Sequence, residues 1–198
     1  MLDLLDAQKM NLPNVLTIAR IGLVPVFALA YLSTENYHWI AALLFAAAAF
    51  TDWLDGYLAR RLDQTTLFGA FLDPVADKLI VVTALVLLIG GHASLWMTIP
   101  GLVIIGREIV ISALREWMAE MNRRGVVTVS WIARVKTTLQ MVAIVILFAN
   151  APEMGRPWVI VGLVLLYAAA VITIWSMVIY LRAAWPTLKD GFHASTTA

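Results

Sequence analysis

The sequence predicts an all-α integral membrane protein with six transmembrane helices around a polar cavity. Two observations support this fold class. Of the 198 residues, 62% are hydrophobic and 14% are charged, and the mean hydropathy is +0.85, well above that of a soluble domain. Six spans of about 22 residues need about 132 positions, which leaves short loops and no room for a soluble domain. The net charge of +1 excludes a basic nucleic-acid-binding surface, and the absence of cysteine excludes disulfides and thiolate sites.

Six apolar segments follow one another along the chain. The first opens with Pro13 in its first turn, where a missing N–H costs nothing, and Thr66 is a favourable N-cap for the third. A short interfacial helix is predicted over residues 1–11, a membrane domain over 12–185 and a cytoplasmic tail over 186–198. The predicted spans are 12–32, 39–62, 66–91, 95–121, 128–148 and 157–184.

The basic residues of the predicted loops are concentrated on one side. Arg156 is alone on the opposite side. Because cytoplasmic loops are enriched in Lys and Arg, this bias predicts that both termini lie in the cytoplasm. The residues on the basic side are Lys9, Arg60, Arg61, Arg123, Arg124, Arg182 and Lys189.

Charged residues within the spans lie in the cytoplasmic half, about 7–17 Å from the loops at 1.5 Å per residue. The outer ends are almost wholly apolar, and His38, His92 and His193 are interpreted as exposed or interfacial. A charge near the bilayer centre costs roughly 2.5–3.5 kcal/mol, so each needs a role. A polar cavity open to the cytoplasm and blind at the other end favours an enzyme that joins a cytosolic substrate to a lipid. A channel or transporter needs access to both sides.

Structural salt bridges are the alternative explanation for these charges. Arg107 and Glu108 are adjacent, as are Arg115 and Glu116. Because adjacent side chains do not face each other on a helix, these pairs are not expected to satisfy themselves, which disfavours the alternative.

Four aspartates fall on two predicted helix faces. Asp52 and Asp55 are three residues apart, and Gly69, Asp73 and Asp77 recur every four residues. The short turn between the two helices predicts antiparallel neighbours whose acidic faces converge. Four carboxylates in a low dielectric repel one another unless cations neutralise them. Hard divalent ions such as Mg²⁺ or Mn²⁺ prefer these oxygen ligands, and two ions about 3.5–4 Å apart clamp a transferred phosphoryl group.

The same residues resemble the signature of the CDP-alcohol phosphotransferase family. The match holds at every fixed position, namely Asp52, Asp55, Gly56, Ala59, Arg60, Gly69, Asp73 and Asp77. The resemblance extends over about residues 11–140 and includes the segments 12–20, 71–78, 107–116 and 135–138. The last helix carries no signature residue.

Members of that family have six transmembrane helices, usually form homodimers and need a divalent metal. They transfer the phosphatidyl group of CDP-diacylglycerol to an alcohol and release CMP. The resemblance therefore implies two divalent ions, Mg²⁺ or Mn²⁺, on the four aspartates, with Asp77 also acting as general base, in a bacterial inner membrane. It assigns CDP-diacylglycerol binding to Asn14, Thr17, Gly56, Ala59, Arg60, Thr66 and Gly69.

The acceptor is predicted to be sn-glycerol 3-phosphate, because residues 107–116 resemble the family members that use it. A dianionic phosphate near four acids needs its own cations. Arg107 and Arg115 are about 80° apart around one helix and Lys136 lies at a comparable depth, so these three predict an acceptor-phosphate pocket. Inositol phosphate, phosphatidylglycerol or serine as acceptor, a divalent-cation transporter, and neutralisation of acids such as Glu108 by these cations are the alternatives.

Overall fold

A computed structural model describes residues 12–33, 38–62, 67–120 and 131–194 of the chain, with side chains over slightly narrower ranges. The predicted interfacial helix over residues 1–11 lies outside the described residues. The helices are α1 (Leu12–Ser33), α2 (His38–Leu62), α3 (Leu67–His92), α4 (Leu95–Glu120), α5 (Trp131–Ala149) and α6 (Pro157–Ala194).

The predicted spans agree with these bounds to within three residues, except at the end of α6. That helix continues to Ala194, ten residues past the predicted end at Ala184. The prediction stopped where the apolar run stops. Helical hydrogen bonds do not require apolar side chains, so hydropathy marks the end of the membrane segment rather than the end of the helix.

Three of the described helices have the length and composition of membrane spans. Three segments qualify by both criteria, Val15–Ser33, Leu95–Ala119 and Pro157–Trp185. Trp39, Trp96 and Trp158, near the first residues of α2, α4 and α6, are 52%, 67% and 63% exposed, as in an aromatic belt at a membrane interface. From Trp158 to the exposed Trp185, α6 rises about 40 Å, the thickness of a bilayer with its interfaces. The protein is a helical integral membrane protein.

The six helices pack in a closed ring. In order around the ring, α1 contacts α2, α2 contacts α5, α5 contacts α6, α6 contacts α4, α4 contacts α3, and α3 contacts α1. Within the described part of the chain α2 and α3 touch at few positions. The helix ends that the predicted pairing brings together, residues 52–66, lie outside the described side chains, so the convergence of the two acidic faces stays a prediction. The helix that packs against both is α1.

The apolar core fills the end of the bundle that carries Trp39, Trp96 and Trp158. There the rings of Phe27, Tyr31 and Phe45 pack around the ring of Phe148. Their centroids lie 6.0, 5.0 and 5.8 Å from the Phe148 centroid. Buried polar side chains other than His92 lie at the middle of the helices or toward the opposite end, and they are Thr17, Arg20, Arg107, Lys136, Gln140, Thr173 and Ser176. The described residues thus have the one-sided polarity that the sequence predicts.

The turn between α3 and α4 is short and tightly packed. It consists of Ala93, whose φ is 43°, and Ser94, whose Oγ accepts from the Trp96 N–H at 3.3 Å. His92 beside it is only 7% exposed. His92 is therefore not exposed, because the last turn of α3 packs against the hydroxyl of Tyr31. It is the last residue of α3, beside the turn that leads to the exposed Trp96, which is compatible with the interfacial position.

Candidate active site

Two of the predicted catalytic acids lie on α3, where two side chains of α1 hold them. Thr17 Oγ1 donates to Asp73 Oδ1 at 2.7 Å, and Arg20 Nη1 donates to Asp77 Oδ1 at 2.8 Å. Thr17 and Arg20 are each 1% exposed, whereas the side chain of Asp77 is 50% exposed. Both bonds cross one helix–helix contact, since the donors are three residues apart and the acceptors four. The α1–α3 contact therefore fixes the direction in which both carboxylates point.

Gly69 is buried on α3, one turn before Asp73. The remaining residues of the predicted acidic site lie outside the described side chains, namely Asn14, Asp52, Asp55, Gly56, Ala59, Arg60 and Thr66. Among the described side chains alone, His, Asp and Glu residues form no group of three or more that could hold a metal. Asp73 and Asp77 are the part of the predicted set that the structure brings together.

The donor chemistry of Asp73 and Asp77 fits a hard divalent cation. Each ionised carboxylate has about four lone-pair sites, so one bond from α1 leaves capacity for further partners. The two acids are one helical turn apart, so they share a face of α3. Carboxylate oxygens are the ligands that Mg²⁺ and Mn²⁺ prefer, and the half-exposed side chain of Asp77 is within reach of an ion.

A second polar group lies between α4 and α5. Lys136 Nζ and Arg107 Nη1 both donate to Glu108 Oε1, at 2.8 and 2.9 Å. Lys136 is 4% exposed and Arg107 8%. Lys136 of α5 thus supplies Glu108 of α4 with a partner from another helix. The prediction that adjacent Arg107 and Glu108 do not pair is wrong, because the long guanidinium side chain reaches sideways to the oxygen that Lys136 also binds.

Arg115 joins this group through an aromatic ring. Its Cζ lies 5.7 Å from the centroid of the Tyr180 ring, and the Cζ of Arg107 lies 5.8 Å from the same centroid. The structure therefore brings Arg107 and Arg115 to one place, as their helical spacing predicts. Within the described part of the chain, Arg115 makes no hydrogen bond or ion pair, so its N–H donors are available to a ligand.

Sequence reasoning missed the contribution of α6. Arg107 Nη2 lies 3.5 Å from Ser176 Oγ, and Tyr180 is 7% exposed beneath the two arginines. The signal was present in the sequence, since Thr173, Ser176 and Tyr180 recur at helical spacing within residues 157–181, a segment without charged residues. It was overlooked because none of them belongs to the family signature.

Arg107 and Lys136 thus bind Glu108, and Arg115 shares the Tyr180 ring with Arg107. Together, these three cations and one carboxylate carry two more positive charges than negative ones. A phosphate monoester carries nearly two negative charges at neutral pH. This basic cluster, Arg107, Arg115, Lys136 and Glu108, is carried by α4 and α5, whereas Asp73 and Asp77 are on α3. It has the charge and the donors to bind a phosphate group.

An acidic site and a separate basic cluster inside one helical bundle define an integral membrane protein equipped to handle phosphate-bearing substrates. The model of the CDP-alcohol phosphatidyltransferase family matches residues 10–175. The chain belongs to this family.

The chain is also similar to proteins named CDP-diacylglycerol–glycerol-3-phosphate 3-phosphatidyltransferase. The relative from Pseudomonas fluorescens is 57% identical over 186 residues, which cover 92% of this chain and 94% of the relative. The one from Haemophilus influenzae is 51% identical over 189 residues, covering 93% and 99%. The one from Escherichia coli K12 is 51% identical over 186 residues, covering 92% and 99%. The family resemblance of the signature is therefore confirmed and extends over nearly the whole chain.

Proposed function

We propose that this protein transfers the phosphatidyl group of CDP-diacylglycerol to sn-glycerol 3-phosphate, giving phosphatidylglycerophosphate and CMP. It is a transferase of phospholipid biosynthesis, the activity for which its relatives of 51–57% identity are named. The observation that carries this function is the basic cluster. It supplies a phosphate-sized excess of positive charge on α4 and α5, whereas Asp73 and Asp77 of the family signature are on α3.

The proposed metal centre consists of Asp52, Asp55, Asp73 and Asp77, which hold two divalent ions, Mg²⁺ or Mn²⁺. Divalent ions held there would supply positive charge to neutralise the diphosphate and the charge that develops on the departing CMP. Asp77 accepts the proton of the acceptor hydroxyl as general base. The hydroxyl oxygen attacks the β-phosphorus and the bond from that phosphorus to CMP breaks. Arg20 orients Asp77 for this role through the 2.8 Å hydrogen bond.

The proposed binding site for CDP-diacylglycerol lies along the α1–α3 contact and the facing end of α2. It comprises Asn14, Thr17, Gly56, Ala59, Arg60, Thr66 and Gly69. Two of these support the placement, because Thr17 bonds Asp73 and the buried Gly69 lies one turn away from it. The acyl chains enter the bundle from the lipid side, while the nucleotide comes from the cytoplasm.

The proposed acceptor pocket is formed by Arg107, Arg115 and Lys136. Arginine binds phosphate oxygens in a bidentate manner, and Arg115 has donors to spare. Serine carries no phosphate, and phosphatidylglycerol carries a single charge, so either would leave positive charge unpaired in a low dielectric. A divalent-cation transporter is disfavoured because this cluster repels cations and the outer half of the bundle is apolar.

We further propose that all six helices cross the bacterial inner membrane with both termini in the cytoplasm, and that the protein is a homodimer. Residues 12–185 form the membrane domain and residues 186–198 a cytoplasmic extension. The uneven distribution of basic residues supports the orientation. The dimer is proposed from family membership alone.

The acceptor is tested by incubating purified protein with CDP-diacylglycerol and Mg²⁺ and measuring CMP release. We expect release with sn-glycerol 3-phosphate and little with inositol phosphate, phosphatidylglycerol or serine. Arg115→Gln should raise the KM for glycerol 3-phosphate about 10- to 150-fold, the effect of a lost charged hydrogen bond, and leave the KM for CDP-diacylglycerol unchanged. Arg182→Gln, an exposed arginine of α6, is the control. Equal turnover with another acceptor, or an unchanged KM in Arg115→Gln, would contradict the proposal.

The metal centre is tested with the variants Asp52→Asn, Asp55→Asn, Asp73→Asn and Asp77→Asn. Each should remove nearly all turnover. Asp52→Asn and Asp55→Asn should leave the melting temperature of chelator-treated protein equal to or above that of wild type, because carboxylate repulsion is relieved. Asp77→Asn should lower it, because the buried Arg20 loses the anion that it pairs with at 2.8 Å. Full activity of chelator-treated wild type, or wild-type rates in any two variants, would refute the assignment.

A further inference from the structure

Tyr180 presents one buried ring to both arginines of the basic cluster. The Cζ atoms of Arg107 and Arg115 lie 5.8 and 5.7 Å from its centroid, within the range of cation–π attraction. The two arginines leave α4 at positions eight residues apart, about 12 Å along the helix axis. Their guanidinium groups nevertheless meet at one ring, which is 7% exposed.

An aromatic ring suits this place better than an acid. Two guanidinium groups that converge in a low dielectric repel each other, so something must offset the repulsion. A carboxylate between them would cancel their charge and compete with an incoming phosphate. The negative face of an aromatic ring attracts cations without carrying a formal charge. It therefore keeps the arginines together and leaves their charge for a ligand.

The two arginines depend on the ring to different degrees. Arg107 is also held by Glu108 at 2.9 Å and lies 3.5 Å from Ser176 Oγ. Arg115 is exposed. Among the described residues, its contact with the Tyr180 ring is the one hydrogen bond, ion pair or cation–π contact that it makes. Removing the ring should therefore release Arg115 far more than Arg107.

We propose that Tyr180 is a positioning residue that sets the spacing of Arg107 and Arg115 for the phosphate of the acceptor. This inference rests on the proposed role of the two arginines in binding that phosphate. The match to the family model ends at residue 175, so Tyr180 lies beyond the region that defines the family. The specificity of the pocket is thus completed by the last helix.

The test compares Tyr180→Leu with Tyr180→Phe, which keeps the ring. Tyr180→Leu should raise the KM for glycerol 3-phosphate about 5- to 30-fold, with kcat at saturation and the KM for CDP-diacylglycerol unchanged. Tyr180→Phe should behave as wild type. Tyr167→Leu, the same change at a half-buried tyrosine of the same helix, is the matched control and should leave all three constants unchanged.

A graded series removes any dependence on the folding of Tyr180→Leu. Phenylalanine with one, two or three ring fluorines at position 180 keeps the shape while weakening the negative face of the ring. The KM for glycerol 3-phosphate should rise with each fluorine at a constant melting temperature, which a purely structural role would not produce. A flat series beside a raised KM in Arg115→Gln overturns this inference alone. A flat series together with an unchanged KM in Arg115→Gln overturns the acceptor pocket itself.

Discussion

At the scale of single residues, two of the ionic contacts described inside the bundle join different helices. Arg20 of α1 bonds Asp77 of α3, and Lys136 of α5 bonds Glu108 of α4. A buried charge without a partner costs several kcal/mol, so each of these pairs constrains how its two helices are rotated. Glu108 has the largest number of cationic partners among these acids, because its Oε1 accepts from both Arg107 and Lys136.

Glu108→Gln should lower the melting temperature of the purified protein and reduce the free energy of unfolding by about 2–3 kcal/mol. The reason is that Lys136 and Arg107 stay buried without their anion. Thermal unfolding in detergent measures this effect.

The control for that change is Glu153→Gln in the connection between α5 and α6. Arg156 donates to both oxygens of Glu153, at 2.7 and 3.1 Å, and thereby holds the pKa of that carboxyl below its usual range. The pair is exposed, so its loss should leave the melting temperature unchanged. Equal decreases in melting temperature in Glu108→Gln and Glu153→Gln would show that the burial of Glu108 does not increase its contribution to stability.

At the scale of elements, the outer end of the bundle depends on close helix approach. A Cβ atom at Gly91 of α3 would collide with the hydroxyl oxygen of Tyr31 on α1. The Tyr31 ring is itself fixed edge-on against Phe148 of α5, with centroids 5.0 Å apart. Three helices therefore meet at a position where a side chain has no space.

Gly91→Ala should destabilise the protein by about 1–3 kcal/mol, because the Tyr31 ring must leave its place in a packed core. Gly90→Ala is the matched control, since a Cβ there meets nothing within 4 Å. Because alanine favours a helix over glycine, Gly90→Ala should be neutral or slightly stabilising. Chemical or thermal unfolding of both variants decides the matter, and a similar loss in the two would contradict the close approach.

At the scale of the whole molecule, apolar and polar interiors are segregated along the membrane normal. The aromatic core lies beside Trp39, Trp96 and Trp158, and the acids and basic cluster lie toward the other end. Water-soluble CDP and glycerol phosphate groups therefore have to approach from the polar end. If that end faces the cytoplasm, glycerol 3-phosphate and the nucleotide head group of the lipid reach the site from the cytoplasmic side of the membrane.

The orientation can be measured with introduced cysteines, because the chain contains none of its own. A cysteine at Glu153, in the exposed connection between α5 and α6, should react with an impermeant thiol reagent only from outside the cell membrane. A cysteine at Asn122, in a predicted cytoplasmic loop, should react only in inverted vesicles. The opposite pattern would reverse the topology and with it the route of substrate access.

The sequence by itself determined the number and most of the bounds of the described helices and the polar end of the bundle, and it predicts the chemistry of the aspartates. Each of these depends on local properties, namely hydropathy, helical period and the fixed spacing of Asp73 and Asp77 with their neighbours. The predicted end of α6 is wrong by ten residues, because the end of the apolar segment is not the end of the helix.

Only the tertiary structure decided which side chains meet. It placed α1 against both α2 and α3, paired Arg107 with the adjacent Glu108, and brought Ser176 and Tyr180 of the last helix to the basic cluster. Such contacts join residues as far apart as Arg107 and Ser176, 69 positions along the chain. They depend on the rotation and crossing angle of each helix, which packing sets and hydropathy does not encode.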